Sequence, residues 1–193
     1  VTAASDLHRD FFVKQTHMSC WHENDGESAA MWEIYQREGR GLAITTTWAD
    51  LTTSLATERK ILGGRVNYVD YTSTFIPEGD SLSPFMHKRK SFLHEQEVRL
   101  IAKTGIGGDV YRGASGGEDA REGSGQWVLT RSVKEEPAVI AVPVDLQRLI
   151  RSVYVAPKAL DWFGDLIEKI VRRYGLDVNV VRSDLYTDPS KLV

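Results

Sequence analysis

The chain has 193 residues, 41% of them hydrophobic and 26% charged, with a formal net charge of −3 and a pI near 6.0. Those figures fit one globular domain with a sizeable core, give no global electrostatic drive toward nucleic acid, and contain no apolar run near the ~20 residues that span a bilayer. The one cysteine, Cys20, cannot close an intramolecular disulfide, which suits a reducing, cytoplasmic compartment.

In chain order, residues 11–21 (FFVKQTHMSCW) are rich in aromatic and β-favouring side chains and predict a first strand, broken by Asn24, Asp25 and Gly26. Asp25 or Ser28 can cap a helix through Gln36, with Met31, Trp32 and Tyr35 at helical spacing and Gly39 or Gly41 ending it. Residues 41–47 predict a second strand, 50–60 a short helix, and the alternating stretch 65–74 a third strand, followed by a loop over 77–83. Eight glycines between 105 and 125 predict a flexible loop, which carries neither a Walker pattern nor a dinucleotide fingerprint. Strands are then expected at 127–131, 138–144, 152–155 and 178–181, with a helical turn at 146–150. The clearest helix is 158–174, with Leu160, Phe163, Ile167, Ile170, Val171 and Tyr174 as its apolar stripe and Gly175 as its stop. The expected fold is one α+β domain: a mixed, largely antiparallel sheet of six to eight strands flanked by helices 28–36 and 158–174. Its last strand, helix and strand could form a parallel crossover.

The densest chemistry lies in residues 85–101, FMHKRKSFLHEQEVRLI. The spacing of Phe85 and Phe92 predicts a helix that begins at Ser83 or Pro84, and period-two alternation from Glu95 predicts a strand. That strand would set Glu95, Glu97 and Arg99 on one face, able to bind a polar ligand or position a general base. Glu97 and Glu95 are the candidate catalytic groups. Arg99, His94, Trp32, Tyr35 and Trp21 are the candidate ligand-binding groups, as the walls of a cleft. The competing reading is a charge ladder in which Arg99 merely neutralises Glu97, and a dry, fully packed pair would sink both a catalytic and a binding reading of it. Cys20 and His22 share a strand face and invite comparison with a nucleophile and its base, although a buried, inert cysteine is the commoner outcome. His17, Cys20, His22, His87 and His94 lack the paired spacing of a metal site. The run Lys88, Arg89, Lys90 predicts a solvated face, too isolated for nucleic-acid binding.

Several blocks resemble one bacterial family, the domain of unknown function 2971. They are SCWHEND at 19–25, MWEIYQREGRGLAI at 31–44, VNYVDY at 66–71, KSFLHEQEVRLI at 90–101, and the ending VYVAP, long helix, VVRSDLY. Members resembling this chain carry an earlier segment with a Tyr and Arg strand and an Asn-Asp-Pro turn. That segment is not found in this sequence, and the expectation is that the chain, which opens on Val1, either lost it or is the later part of a longer protein. The resemblance implies no activity, so whether the chain is an enzyme stays open. A binding module for a small polar ligand or a protein partner is one reading. The alternative resembles an ADP-ribosyltransferase using NAD, with Glu95-Gln96-Glu97 as its late Glu-X-Glu and Thr45, Thr46 and Thr47 as its Ser/Thr-rich strand. Its early basic residue would have to be His17, His22 or Arg9.

Overall fold

The structure is a computed structural model that describes residues 13–36, 38–76, 82–104, 138–188 and 190. The expected glycine-rich loop 105–125, the strand at 127–131 and most of the loop at 77–83 lie outside the described residues. Helices and strands alternate in an α+β arrangement, with the strands divided among separate sheets rather than joined in one.

The first sheet places β6 (Glu97–Lys103) between β1 (Thr16–His22) and β3 (Ile61–Arg65), antiparallel to both. The second places β7 (Ser152–Val155) between β2 (Leu42–Thr45), antiparallel, and β8 (Asn179–Arg182), parallel. A third, two-stranded unit pairs β4 (Asn67–Val69) in parallel with β5 (His87–Arg89). The expected parallel strand, helix, strand unit is thus present as β7, helix and β8.

Among the described residues, five α-helices of four residues or more accompany these strands: α1 (Ala29–Tyr35), α2 (Trp48–Thr53), α3 (Ser83–Met86), α4 (Leu146–Leu149) and α5 (Asp161–Arg173). Ser28 and Thr47 cap α1 and α2 by accepting the Met31 and Asp50 backbone N–H groups, and Asp145 caps α4 in the same way. Gly175, at φ +65°, ends the last turn beyond α5, in backbone that glycine adopts at little cost.

Among the described residues, two apolar cores result. Val153 and Val155 of β7 pack on Ile167 and Val171 of α5, while Leu51 of α2 and Leu149 of α4 pack on Leu100 of β6. Burying each such side chain contributes roughly 1.5–3 kcal/mol. Ile150 touches both cores and joins them.

Three expectations need correction. Residues 65–74 are not one strand: the chain turns after Val69, where the Asp70 carboxylate accepts the Thr72 N–H and hydroxyl and favours a turn over a ladder. The helix expected from Ser83 stops after one turn, because residues 87–89 gain ladder partners on β4, and a 3₁₀ helix (Lys90–Glu95) follows. The strand expected at 138–144 forms no ladder. Val144 makes a lone bridge with Leu55, and Val139 is 80% exposed.

Candidate functional site

Each strand of the first sheet alternates its side chains between two faces. The β1–β6 register pairs Cys20 with Arg99 and His22 with Glu97, so these four share one face. Trp21 pairs with Val98 on the other face and packs into the Leu51, Leu100 and Leu149 core. Trp21 is therefore not a wall of a site around Glu97.

Glu95 joins Glu97 and Arg99 by a route other than the expected strand face. It ends the 3₁₀ helix, and Gln96 turns the chain through left-handed backbone, φ 39°, before β6 begins. The turn is fastened on both sides. His22 Nδ1 donates to the Glu95 carbonyl, the Glu23 N–H donates to the Gln96 carbonyl at 2.9 Å, and the Glu97 N–H donates to Tyr68 Oη at 2.8 Å. Nδ1 of His22 therefore carries a proton, and its buried Nε2 has no partner among the described residues.

The charged cluster is built on Glu97. Arg99 Nε and Nη2 donate to Glu97 Oε1 and Oε2, each at 2.8 Å, a bidentate fork, and Arg99 Nη1 donates to the Phe85 carbonyl. Lys88 Nζ lies 2.5 Å from Glu95 Oε2 and 3.4 Å from Glu97 Oε2, so it bridges the two glutamates. The side chains of Glu97 and Arg99 are only 8% and 12% exposed, so the pair itself is packed as the charge ladder has it, and only the Lys88 and Glu95 edge is left for a ligand. Lys88 is more open at 24%, and its ammonium sits 4.8 Å from the centre of the exposed Phe92 ring.

Burial pushes the Glu97 carboxyl pKa up, but hydrogen bonds from Arg99 and Cys20 and the charges of Arg99 and Lys88 outweigh it and hold the group at about 2. Desolvation raises the Cys20 thiol to about 11, helped by its hydrogen bond and proximity to Glu97, with Arg99 opposing. At neutral pH Glu97 is consequently an ionised, twice-neutralised carboxylate and a weak base, and Cys20 is a neutral thiol. With the Cys20 thiol protonated and facing Glu97 and Arg99 rather than His22, the nucleophile and base reading of Cys20 and His22 loses its support.

The remaining expected residues divide. His94 is exposed on the 3₁₀ helix, one residue before Glu95, and no contact among the described residues ties its side chain to the cluster. Trp32 is buried in α1, where its indole N–H donates to Glu27 at 2.9 Å and its ring lies beside Gly41, which also neighbours Ala156. Tyr35 is exposed on the same helix. Trp32 and Tyr35 therefore belong to the flank of the second sheet, not to the charged cluster.

Lys88 and Tyr68 are central here and were not expected. Strand alternation in β5 turns Lys88 toward the glutamates and leaves Arg89 over the Tyr71 ring at 5.6 Å, which splits the basic run instead of solvating it as a unit. No local signal marks either residue, since both act through chain-distant pairing. Among the described residues, no cluster of His, Cys, Asp and Glu could hold a metal ion, and no helix is long and apolar enough to cross a membrane. Comparison of the chain with protein-family models, curated proteins and solved structures found no match.

Proposed function

We propose that the chain is a binding domain without chemistry of its own, which takes a small polar ligand at the Lys88 and Glu95 edge of the cluster. One observation carries this reading: both oxygens of Glu97 are already engaged, by the Arg99 fork and by Lys88. A carboxylate so committed is not available to stabilise charge on a reacting ribose or to take a proton. The least enclosed groups are then Lys88 and Glu95, 24% and 13% exposed and paired with each other at 2.5 Å, so that a ligand anion or hydroxyl exchanges for that ion pair, with the exposed Phe92 beside Lys88. The likeness to the domain of unknown function 2971 and the cytoplasmic setting belong to the same proposal, carried by the sequence blocks and the single thiol.

The test is a thermal-shift titration of wild type, Lys88→Gln and Glu97→Gln with ADP-ribose, ATP and NAD, because a ligand that binds only the folded state raises Tm. A dose-dependent shift that Lys88→Gln abolishes, with no nicotinamide released from NAD, supports the reading. Nicotinamide release that Glu97→Gln abolishes overturns it in favour of an NAD-dependent transferase. No shift with any of the three moves the reading to a protein partner.

A further inference from the structure

Helix α5 is more apolar than its own sheet requires. Gly164, Ile167 and Val171 face inward and are buried, as a helix covering one sheet needs. Beside that face runs a second apolar row, Trp162, Leu166, Ile170 and Tyr174, which stays 51%, 42%, 40% and 71% exposed. Its four members are spaced by four residues, so they form a single ridge of the kind that packs into a groove on another helix. The ridge is firmly mounted, since the Trp162 ring stands edge-on to Phe163 at 5.8 Å and Phe163 packs against the core.

Charge defines what can lie on this ridge. The acids of α5 are all engaged: Asp161 and Asp165 bind Arg182, and Glu168 binds Arg172. Lys169 and Arg173 are exposed, and among the described residues neither has an ion-pair partner. They follow Leu166 and Ile170 by three residues each and so line the ridge's outer edge. We propose that this ridge docks an amphipathic helix of another protein, crossing α5 near Leu166 and Ile170, with acidic side chains set against Lys169 and Arg173.

Two other occupants fit less well. At about 100° per residue the row winds through roughly 120° of the helix surface, so Trp162 and Tyr174 do not lie in one plane as a bilayer surface demands. In an antiparallel two-fold pair of this chain, Lys169 and Arg173 of both copies would face the same seam and repel.

The experiment uses the intact chain and two synthetic amphipathic peptides, identical in their leucine ridge but flanked by glutamate in one and lysine in the other. Binding is read by fluorescence anisotropy of labelled peptide and by the blue shift of tryptophan emission. The expected result is saturable binding of the glutamate peptide, about tenfold or more tighter than the lysine peptide, weakening as salt rises. The blue shift disappears in Trp162→Phe, and Lys169→Glu with Arg173→Glu reverses the peptide preference. These positions are exposed, and an unchanged Tm shows that the variants are folded. Equal affinity for the two peptides, binding to neither, binding instead to phosphatidylserine vesicles, or self-association through the ridge in sedimentation overturns the proposal.

Discussion

Cys20 stands directly across the β1–β6 ladder from Arg99, with Glu97 on the same face, so its thiol sits beside the very carboxylate that Arg99 clamps. The exposed position of Cys20 therefore does not make it reactive. Alkylation by iodoacetamide at pH 7–8 is expected to be slow and to accelerate only as pH rises toward about 11. Glu97→Gln removes a hydrogen bond and a charge that both hold the proton on sulfur, so it should speed the reaction at pH 8–9. An unchanged rate in that variant would separate the thiol from the cluster.

The Glu97 and Arg99 pair is enclosed, so breaking it from one side should cost far more than replacing it whole. Glu97→Gln leaves the Arg99 guanidinium largely desolvated beside a neutral amide, a loss of about 3–5 kcal/mol on breaking a buried pair. The double variant Glu97→Leu with Arg99→Met should unfold at a higher denaturant concentration than either single variant. Additive losses in the urea-unfolding cycle would mean that the two residues are not coupled.

Acid stability follows from the same carboxylate. Its folded value, about 2, lies below the ordinary 4.5, so the stabilisation is fully present above pH 4.5 and is lost as pH falls from there toward 2. Across that window the wild type should lose on the order of 3 kcal/mol through this group. Urea midpoints between pH 5 and 2.5 should fall more gently for Glu97→Gln than for wild type, and parallel curves would refute the assignment.

Trp48 lies over the β3 backbone at Gly63, where an added Cβ would sit 2.6 Å from its Cη2 and 2.9 Å from Leu100 Cδ2. Gly63→Ala should therefore destabilise by about 1–3 kcal/mol, as overpacking does, despite the better strand propensity of alanine. In a Trp48→Leu background the same substitution should cost much less. Equal Tm losses in the two backgrounds would mean that Trp48 is not the obstacle.

Signals that act within a few residues were legible in the sequence. The Ser28 cap, the strand at 152–155, the long helix α5 and its stop at Gly175 all follow from local spacing. Pairings between distant segments were not, and they decide the rest. Residues 87–89 left the expected helix because β4 offered them a ladder, and that move turned Lys88 onto the glutamates. Glu95, Glu97 and Arg99 do meet, but through a left-handed Gln96 that alternation counting cannot anticipate. Trp21 is a different case. It adjoins Cys20 and His22 on one strand, so period two already placed it on the opposite face, and that signal was available. Trp32 and Tyr35 carried spacing consistent with a helix, yet nothing local says which sheet the helix flanks.

The two three-stranded sheets close over long spans of chain. Thr16 pairs with Lys103, and Leu42 pairs with Val155, so strands from the first quarter of the chain await partners translated much later. While the chain emerges from the ribosome, β1 and β2 therefore present unpaired edges, and no local hairpin between them can satisfy those edges early. Such long-range pairing favours slow closure and leaves the nascent strands open to pairing with other chains.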